Sequence, residues 1–417
     1  MGNRIDRIGT AAMYDDSLRK LNARQSDLAT MQDKLSAGKR VLRASDDPVA
    51  AAQAERALTR LARIQSEQRA LQARRDTITQ GEGTLGEAVG LLQDFRELVV
   101  SAGGASLTAH DRATIAQQLQ GLREQLLQAA NRQDTNGIPL FAALGSMAAP
   151  FSGPRSSAPD YAFQGQPGQV ASDGVRLPGT LDGYGAFMFD PRRDAVYTAQ
   201  VSPIPTDRRL TTTAVQPTAA GQATGDGYRI TFGAVRPGAT AGTSSITYTI
   251  TNTRTGVVSA PVVPPDFPRD QPVRITVTGI PGLRLDIEGT PAAGDSVSVE
   301  PSASLLSTLD SAIRSIRDAP NNNAAIQAVG QGLANIDRGL EQVQALRGYA
   351  GELLNRADRI TADQEKRSTQ LEGDRSRAED LDMVQGISDF QNQQTGYEAA
   401  LKSYARVQRL SLFDFLG

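Results

Sequence analysis

The sequence of 417 residues contains no cysteine, no tryptophan and a single histidine, His110. Without cysteine the chain can form no disulfide, thiolate nucleophile or zinc–thiolate site, and one histidine cannot supply the usual centre of several histidine ligands. Basic and acidic residues number 44 and 46, a balance that gives no general attraction to nucleic acid. These absences exclude cysteine and multi-histidine chemistry and disfavour a nucleic-acid partner. Together with the motifs below, they lead us to expect no catalytic residue, no cofactor and no metal site.

Long apolar runs are also absent. No stretch of about 18 apolar residues occurs, so the sequence predicts no membrane span. The first ten residues alternate charged and isolated apolar side chains and lack the continuous apolar core of a cleaved secretion signal. Apolar residues still make up 39% of the chain, which is enough to bury a core. The composition is that of a folded protein.

Proline divides the chain into three parts, because it breaks helix interiors but is tolerated in turns and at sheet edges. Of 21 prolines, 19 lie between Pro139 and Pro301. The pattern predicts a mainly α protein with inserted β structure: both chain ends form a long antiparallel helical hairpin or coiled-coil rod, with one or two small antiparallel β domains in the middle. The expected domains are a terminal coiled coil (1–45 with 375–417), a helical rod (46–144 with 303–374) and a β-rich insertion (145–302).

Apolar residues recur with helical spacing in both arms, as in helices that pack side by side. One row runs from Ile64 to Val99 and another from Ile326 to Val343, after which Arg347 interrupts it. We interpret these rows as core seams. Similar rows near the chain ends predict an assembly interface, because lone helices are marginally stable in water. This interface comprises Tyr14, Leu21, Leu28 and Leu35 with Met383, Phe390, Tyr397, Leu401 and Tyr404.

Four short runs in the middle of the chain alternate side-chain character with a period of two, as half-buried strands do. Gly, Pro, Asn and Asp bound them. We predict antiparallel strands at these positions. The runs are Tyr228–Phe232, Ile246–Ile250, Val273–Val277 and Leu283–Ile287.

The most informative local motif lies between residues 35 and 52. Gly38 is suited to end one helix, Asp47 to cap the next, and Pro48 to its first position, where a missing N–H costs nothing. The carboxylates of Asp46 and Asp47 suggest acid-base or metal chemistry, but no third ligand lies nearby. We interpret the segment as a structural joint formed by Gly38, Arg40, Ser45, Asp46, Asp47 and Pro48.

Two other motifs resemble functional sites. The glycines of 81–86 match a dinucleotide-binding pattern, but they lie inside a helical row instead of following a strand. His110 lies between Thr108 and Asp111, which have the spacing of a capping box, and no nucleophile elbow accompanies it. We interpret both motifs as parts of helices.

The joint motif also carries a resemblance. Ser36-Ala-Gly-Lys-Arg-Val, followed by Ser45-Asp-Asp-Pro, is similar to the amino-terminal signature of the bacterial flagellin superfamily, in the form of the hook-filament junction family, hook-associated protein 3 (FlgL type). Further matches include Tyr161-Ala-Phe-Gln-Gly and the segment from Ala400 to Leu416. They cover both arms and parts of the middle, whereas residues 191–275 match no part of the family pattern.

The resemblance implies a structural adaptor, not an enzyme, that joins the flagellar hook, through hook-associated protein 1, to the flagellin filament. It implies a ring of subunits whose terminal segments are disordered before assembly and then pair as an inner coiled coil. It also implies an export chaperone and secretion through the flagellar type III apparatus, without a cleaved signal peptide, to the extracellular hook-filament junction.

Two alternatives stay open. A filament flagellin shares the same superfamily, although Pro48 and the ending Ser-Leu-Phe-Asp-Phe-Leu disfavour it. A secreted enzyme or glycan-binding protein that uses the β insertion is the alternative from another class, and the unassigned residues 191–275 are its only support.

Overall fold

The computed structural model describes residues 10–416 except 105, 146–147, 157–159, 169–176, 203–209, 219–220 and 270, with backbone alone for 10–14 and 407–416. The chain divides into two compact units. The terminal unit contains the residues up to Ala70 and from Ile360 onward, and the central unit is Leu71–Arg359.

Helices occupy the two proline-poor arms, and a short helix lies in the middle. Pro48 is the first residue of its helix and Pro320 lies between two helices, positions where proline is tolerated. The predicted mainly α class with inserted β structure is confirmed. The described helices are α1 (Thr10–Ala37), α2 (Pro48–Ser101), α3 (Ala109–Ala130), α4 (Gly183–Phe187), α5 (Leu305–Arg317), α6 (Asn322–Glu379) and α7 (Met383–Leu416).

In the central unit α2 and α6 run antiparallel, and their apolar rows are mostly buried as predicted. Ile326, the first residue of the predicted α6 row, is the exception, with 53% of its surface exposed. Ile78, Leu92 and Val343 have no exposed surface. The Arg347 that interrupts the row of α6 donates from Nε to Glu82 Oε1 of α2 at 2.7 Å. Two more ion pairs join the helices, Arg96 Nε to Asp337 Oδ1 at 2.9 Å and Arg75 Nη2 to Asp358 Oδ1 at 3.0 Å. Exposed pairs of this kind contribute about 0–1 kcal/mol each, so the apolar rows supply most of the stability.

The two motifs that resembled functional sites are parts of helices, as predicted. Gly81–Gly86 lies within α2. Thr108 caps α3: its Oγ1 accepts from the Asp111 N–H at 3.2 Å, and Asp111 Oδ2 accepts from the Thr108 N–H at 2.9 Å. His110 is exposed in the first turn of that helix. The capping box therefore accounts for the residues around His110.

The middle of the chain forms short antiparallel strands. Two of the four predicted strands have the predicted bounds, and a third, Leu283–Ile287, lies within a slightly longer strand. The strand predicted from Ile246 begins instead at Tyr248, because the chain leaves one sheet and enters another at residues 246–247. The strands are β1 (Phe151–Ser152), β2 (Ala162–Phe163), β3 (Tyr197–Ser202), β4 (Thr211–Thr212), β5 (Gln216–Pro217), β6 (Tyr228–Phe232), β7 (Arg236–Pro237), β8 (Thr243–Ser245), β9 (Tyr248–Asn252), β10 (Phe267–Pro268), β11 (Val273–Val277), β12 (Leu283–Gly289) and β13 (Ser296–Pro301).

Two four-stranded sheets enclose one apolar core. The first has the strand order β3-β13-β6-β9, and the second has the order β11-β12-β4, with β5 also pairing with β12. Val299 of the first sheet and Leu285 of the second belong to the same buried cluster. This region therefore has a core of its own.

A separate aromatic cluster joins β1, β2 and α4. Phe151 of β1 packs against Phe163 of β2 and Phe187 of α4, with ring centroids 5.3 Å apart in both pairs. The fully buried Tyr161 donates its hydroxyl to Asp310 Oδ2 of α5 at 2.6 Å. Arg123 of α3 lies 3.0 Å from the other oxygen of Asp310. This buried group ties the β1–β2 hairpin to α3 and α5.

We expect Tyr161→Phe to lower the free energy of unfolding by about 2 kcal/mol, because it removes a hydrogen bond to a buried carboxylate. Tyr184→Phe is the control, since the Tyr184 ring packs on Phe163 in the same cluster with a centroid distance of 5.7 Å. Urea unfolding followed by circular dichroism measures both. Equal stability of the two variants would contradict a stabilising role for the Tyr161 hydroxyl.

Candidate assembly site: the paired helix joint and the terminal helices

The joint begins where α1 ends, at Gly38. Its φ of +67° lies in the left-handed region that glycine adopts without steric cost. The N–H groups of Gly38 and Lys39 then donate to the carbonyls of Leu35 and Lys34 at 3.3 and 3.1 Å. These bonds close the last turn of α1, as predicted from Gly38.

The two aspartates of the motif hold the backbone on the other side of the joint. Asp46 Oδ2 accepts from the N–H groups of Leu42 and Arg43 at 3.1 and 3.0 Å. Asp47 Oδ1 accepts from the Ala50 N–H at 3.0 Å and thereby caps α2. The backbone bond from Arg43 is the largest influence that lowers the pKa of Asp46, and the bond from Ala50 is the largest that lowers the pKa of Asp47. Both carboxylates therefore stabilise backbone turns.

A second connection, from α6 to α7, pairs with this joint. The Arg40 N–H donates to the Glu379 carbonyl at 2.8 Å, and the Leu381 N–H donates to the Gly38 carbonyl at 3.0 Å. These bonds form an antiparallel bridge between Lys39 and Asp380. The connections from the two ends of the sequence are thus held together by their backbones.

Arg40 reinforces the pairing through its side chain. Its Nη2 donates to the Ala378 carbonyl at 2.9 Å and its Nη1 to Asp47 Oδ2 at 3.1 Å. Lys39 Nζ pairs with the Glu379 carboxylate nearby. A small core lies beneath, formed by Val41, Ala50, Ala54 and Ala378. Ser45 is exposed at the loop.

Sequence reasoning missed the second connection. It has neither glycine nor proline, and residues 375–417 were predicted as one continuous segment. Asp382 is the signal that marks the break, because its Oδ1 accepts from the N–H groups of Val384 and Gln385 at 3.0 and 3.2 Å and caps α7.

The terminal helices α1 and α7 pack antiparallel against each other in the terminal unit. Glycines on α7 permit the close approach. A β-carbon placed on Gly386 would lie 3.2 Å from Leu35 Cδ2 and 2.9 Å from Leu381 Cδ2, and one on Gly396 would lie 2.8 Å from Arg24 Nη1. The contacts at Gly386 are tighter than ordinary packing allows, so a side chain there would displace Leu35 or Leu381. At Gly396 only the end of the flexible Arg24 side chain would have to move.

The structure places the predicted interface residues along this helix pair with different exposures. Leu21 is buried, whereas Met383 and Leu401 are 45% and 42% exposed. The side chain of Tyr14 lies outside the described residues. The other predicted members, all half-buried, are Leu28, Leu35, Phe390, Tyr397 and Tyr404.

Two exposed apolar residues of α7 were missed, Val384 at 82% and Ile387 at 47% exposure. They lie off the sevenfold row used to select the interface. With Met383 they form an apolar surface on the first turns of α7. Such contiguous exposed apolar surface is typical of interaction sites.

The described residues contain no group of three His, Cys, Asp or Glu side chains placed to hold a metal ion. Within the same residues, no helix has both the length and the apolar character needed to cross a membrane. The features that stand out in the terminal unit are therefore the paired joint and the exposed apolar helix surfaces.

Residues 8–145 match the bacterial flagellin N-terminal helical region. This segment includes α1, the joint, α2 and α3. The chain thus carries a flagellin-type amino-terminal region, the class predicted from the joint motif.

The more specific resemblance is confirmed too. Over 147 residues the chain is 37% identical to flagellar hook-associated protein 3 of Salmonella typhimurium, an alignment that covers 35% of this chain and 46% of that protein. It is 31% identical over 128 residues to flagellin of Bacillus subtilis, covering 30% of this chain and 42% of that protein. The chain therefore matches less than half the length of these relatives.

The similarity in fold covers more of the chain than the similarity in sequence. The crystal structure of the flagellar junction protein FlgL from Legionella pneumophila is 26% identical, with a TM-score of 0.58. The alignment covers 73% of this chain and 98% of that one. The predicted flagellin-like fold is confirmed.

We expect Gly386→Val to weaken the packing of α1 on α7 by about 1–3 kcal/mol, the usual effect of overpacking a close contact. Gly348→Val on α6 is the matched control, since a β-carbon there has no neighbour within 4 Å. Hydrogen exchange of residues 21–37 and 383–400, measured in assembled subunits because the terminal segments are expected to be disordered before assembly, reports the local effect. Unchanged exchange in Gly386→Val would contradict the close contact.

The joint is also predicted to weaken in acid. Because the folded-state pKa of Asp47 is lowered, its contribution to stability is present above the unfolded-state value of about 3.9 and is lost as pH falls through the folded value. Asn also caps helices, so Asp47→Asn retains the cap and removes the charge pair with Arg40. Between pH 6 and 3, unfolding of this variant should depend less on pH than that of the native chain. Identical pH dependence would contradict this role of Asp47.

Proposed function

We propose that this chain is a structural adaptor of the bacterial flagellum that joins the hook, through hook-associated protein 1, to the flagellin filament. The observation that carries the proposal is the fold, which matches almost the whole of a flagellar junction protein. The identity to a hook-associated protein in the amino-terminal region supports the same function.

The exposed surfaces of the terminal unit suit an assembly subunit. An apolar side chain that is more than 40% exposed in one chain gains stability when a neighbour covers it, at about 25 cal/mol per Å² of apolar surface. Met383, Val384, Ile387 and Leu401 meet this condition on a single helix. We propose that neighbouring subunits in a ring cover them.

The proposal assigns a role to each predicted domain. Residues 1–45 and 375–417 form an inner coiled coil that is disordered before assembly, and residues 46–144 with 303–374 form the rod that transmits torque. Residues 145–302 face outward. The paired joint, with its backbone hydrogen bonds and Arg40, connects coiled coil and rod, and its role is mechanical, without catalysis.

The remaining partners and the location follow from the same resemblance. We propose that an export chaperone and the flagellar type III apparatus handle the chain before assembly. The chain then reaches the extracellular hook-filament junction without removal of a signal peptide.

A filament flagellin is the second candidate, favoured by the 31% identity to Bacillus subtilis flagellin. The two functions differ in what deletion of the gene removes. Loss of the adaptor leaves hooks without filaments and releases flagellin into the medium, which electron microscopy and immunoblotting detect. Loss of the filament protein itself would support a flagellin, and normal filaments would contradict both functions.

Leu401→Asp is expected to abolish filament attachment, because it places a charge in a surface that must become buried on assembly. Leu401 is 42% exposed, so the isolated chain should keep its fold. The matched control is Val257→Asp, an exposed valine of the β region, which should restore motility in the deletion strain. A Leu401→Asp chain that restored motility would contradict the assembly role of α7.

A further inference from the structure

The long helix α6 presents three amide side chains to the β sheets of the central unit. Gln327, Gln331 and Asn335 are spaced four residues apart, so they lie along one face of the helix. Gln331 and Asn335 are only 9% and 7% exposed. A buried amide is costly unless it is hydrogen-bonded. The partners that the structure describes lie in residues 195–301, which we call the two-sheet region.

The two glutamines each join one sheet to the other. Gln331 Oε1 accepts from the Ala199 N–H of β3 at 3.1 Å, and its Nε2 donates to Thr212 Oγ1 of β4 at 2.8 Å. One turn earlier, Gln327 Nε2 donates to the Ala199 carbonyl at 3.4 Å, and its Oε1 accepts from the Thr212 N–H at 3.2 Å. Because β3 and β4 belong to different sheets, each glutamine bridges both of them to α6.

The position of β3 explains why these bonds form. It is the outermost strand of its sheet, and an outermost strand leaves every second N–H and C=O without a strand partner. Ala199 directs both groups to Gln327 and Gln331, and the Tyr197 carbonyl accepts from Asn335 Nδ2 at 3.3 Å. The amides of α6 therefore take the place of a neighbouring strand.

The contact between α6 and the two-sheet region is polar and incompletely packed. The buried apolar cluster of this region runs from Ala195 to Val299 and, among the described residues, includes none from α6. A cavity of about 340 Å³ lies beside the glutamines, between β3 and the start of α6, with Val201, Leu210 and Ala324 in its lining. Movement of two parts is expected where their interface is not large and apolar.

We propose that Gln327 and Gln331 form a latch that holds the two-sheet region against α6. When the hydrogen bonds of the latch open, this region moves away from α6 as a folded body, because its core does not depend on the helix. The inference goes beyond the adaptor function, which was argued from the overall fold and from α7. The latch can therefore fail without the adaptor function failing.

The absence of cysteine allows two spin labels to be placed without removing native residues. Val257→Cys labels the two-sheet region and Gln344→Cys labels α6, and both native residues are exposed. Pulsed double electron–electron resonance then measures the distance between the labels in the full chain. The native latch should give one narrow distance distribution.

Gln327→Met with Gln331→Met, introduced into the labelled chain, removes the hydrogen bonds of the latch and keeps unbranched side chains of similar length. The fraction of molecules at a second distance should rise at least about tenfold, because several hydrogen bonds are lost together. Gln117→Met with Gln120→Met is the matched control, since both glutamines are exposed on α3. This control should retain the native distribution.

Hydrogen exchange shows whether the region moves or unfolds. Ile230 and Leu285 lie in its core with 0% and 1% exposure, and their amide exchange should not change in the double variant. Gln327→Met alone, which removes the two longer bonds, should give a smaller second population and serves if the double variant does not fold.

A second distance population together with unchanged exchange at Ile230 and Leu285 supports the latch. A distribution identical to that of the native chain would overturn it, because the glutamines would then not hold the region in place. Faster exchange at Ile230 and Leu285 would also overturn it, since the region would then unfold instead of moving as a body.

Discussion

The backbone pairing between the two helix connections is the constraint on which the terminal unit depends. The Gly38 carbonyl and the Arg40 N–H bond to residues more than 300 positions away in the sequence. This bridge places the start of α7 beside the end of α1, and the two helices then run antiparallel. Arg40 adds a side-chain tie to both connections, and Gly38 supplies the left-handed conformation that turns the chain. Four helix ends are held by one short bridge.

The two parts of the molecule bury their apolar side chains to different extents. The β region buries Tyr197, Ile230, Leu285 and their neighbours in a core of its own. The terminal unit instead has a joint core of small side chains and leaves several large apolar residues of α7 exposed. A region with its own core is suited to an outer position, and helices with open apolar surfaces are suited to contacts with other subunits. The proposed adaptor function uses this difference.

Features decided by neighbouring residues could be predicted from the sequence. Gly38, Asp47 and Pro48 mark helix ends through their own conformational preferences, and the rows of α2 and α6 follow from helical periodicity. Most of the predicted strands were correct as well, because the alternation of side chains that predicts a strand is also a local pattern. Ile246 was assigned to a strand wrongly, because it is buried at a corner between two sheets and its pattern alone does not reveal the corner.

Features decided by distant partners were not predictable. The break before α7 depends on pairing with the Gly38 connection. Arg347 interrupts the apolar row of α6 because it pairs with Glu82 on another helix. The contact of Tyr161 with Asp310 joins residues separated by 149 positions.

Electron cryotomography of flagella from the deletion strain, complemented with a chain carrying a tag in the exposed loop at Val257, shows where the chain lies on the flagellum. If the chain is the junction adaptor, a single band of tagged density will lie between hook and filament. Tagged density along the whole filament, or none on the flagellum, would contradict it.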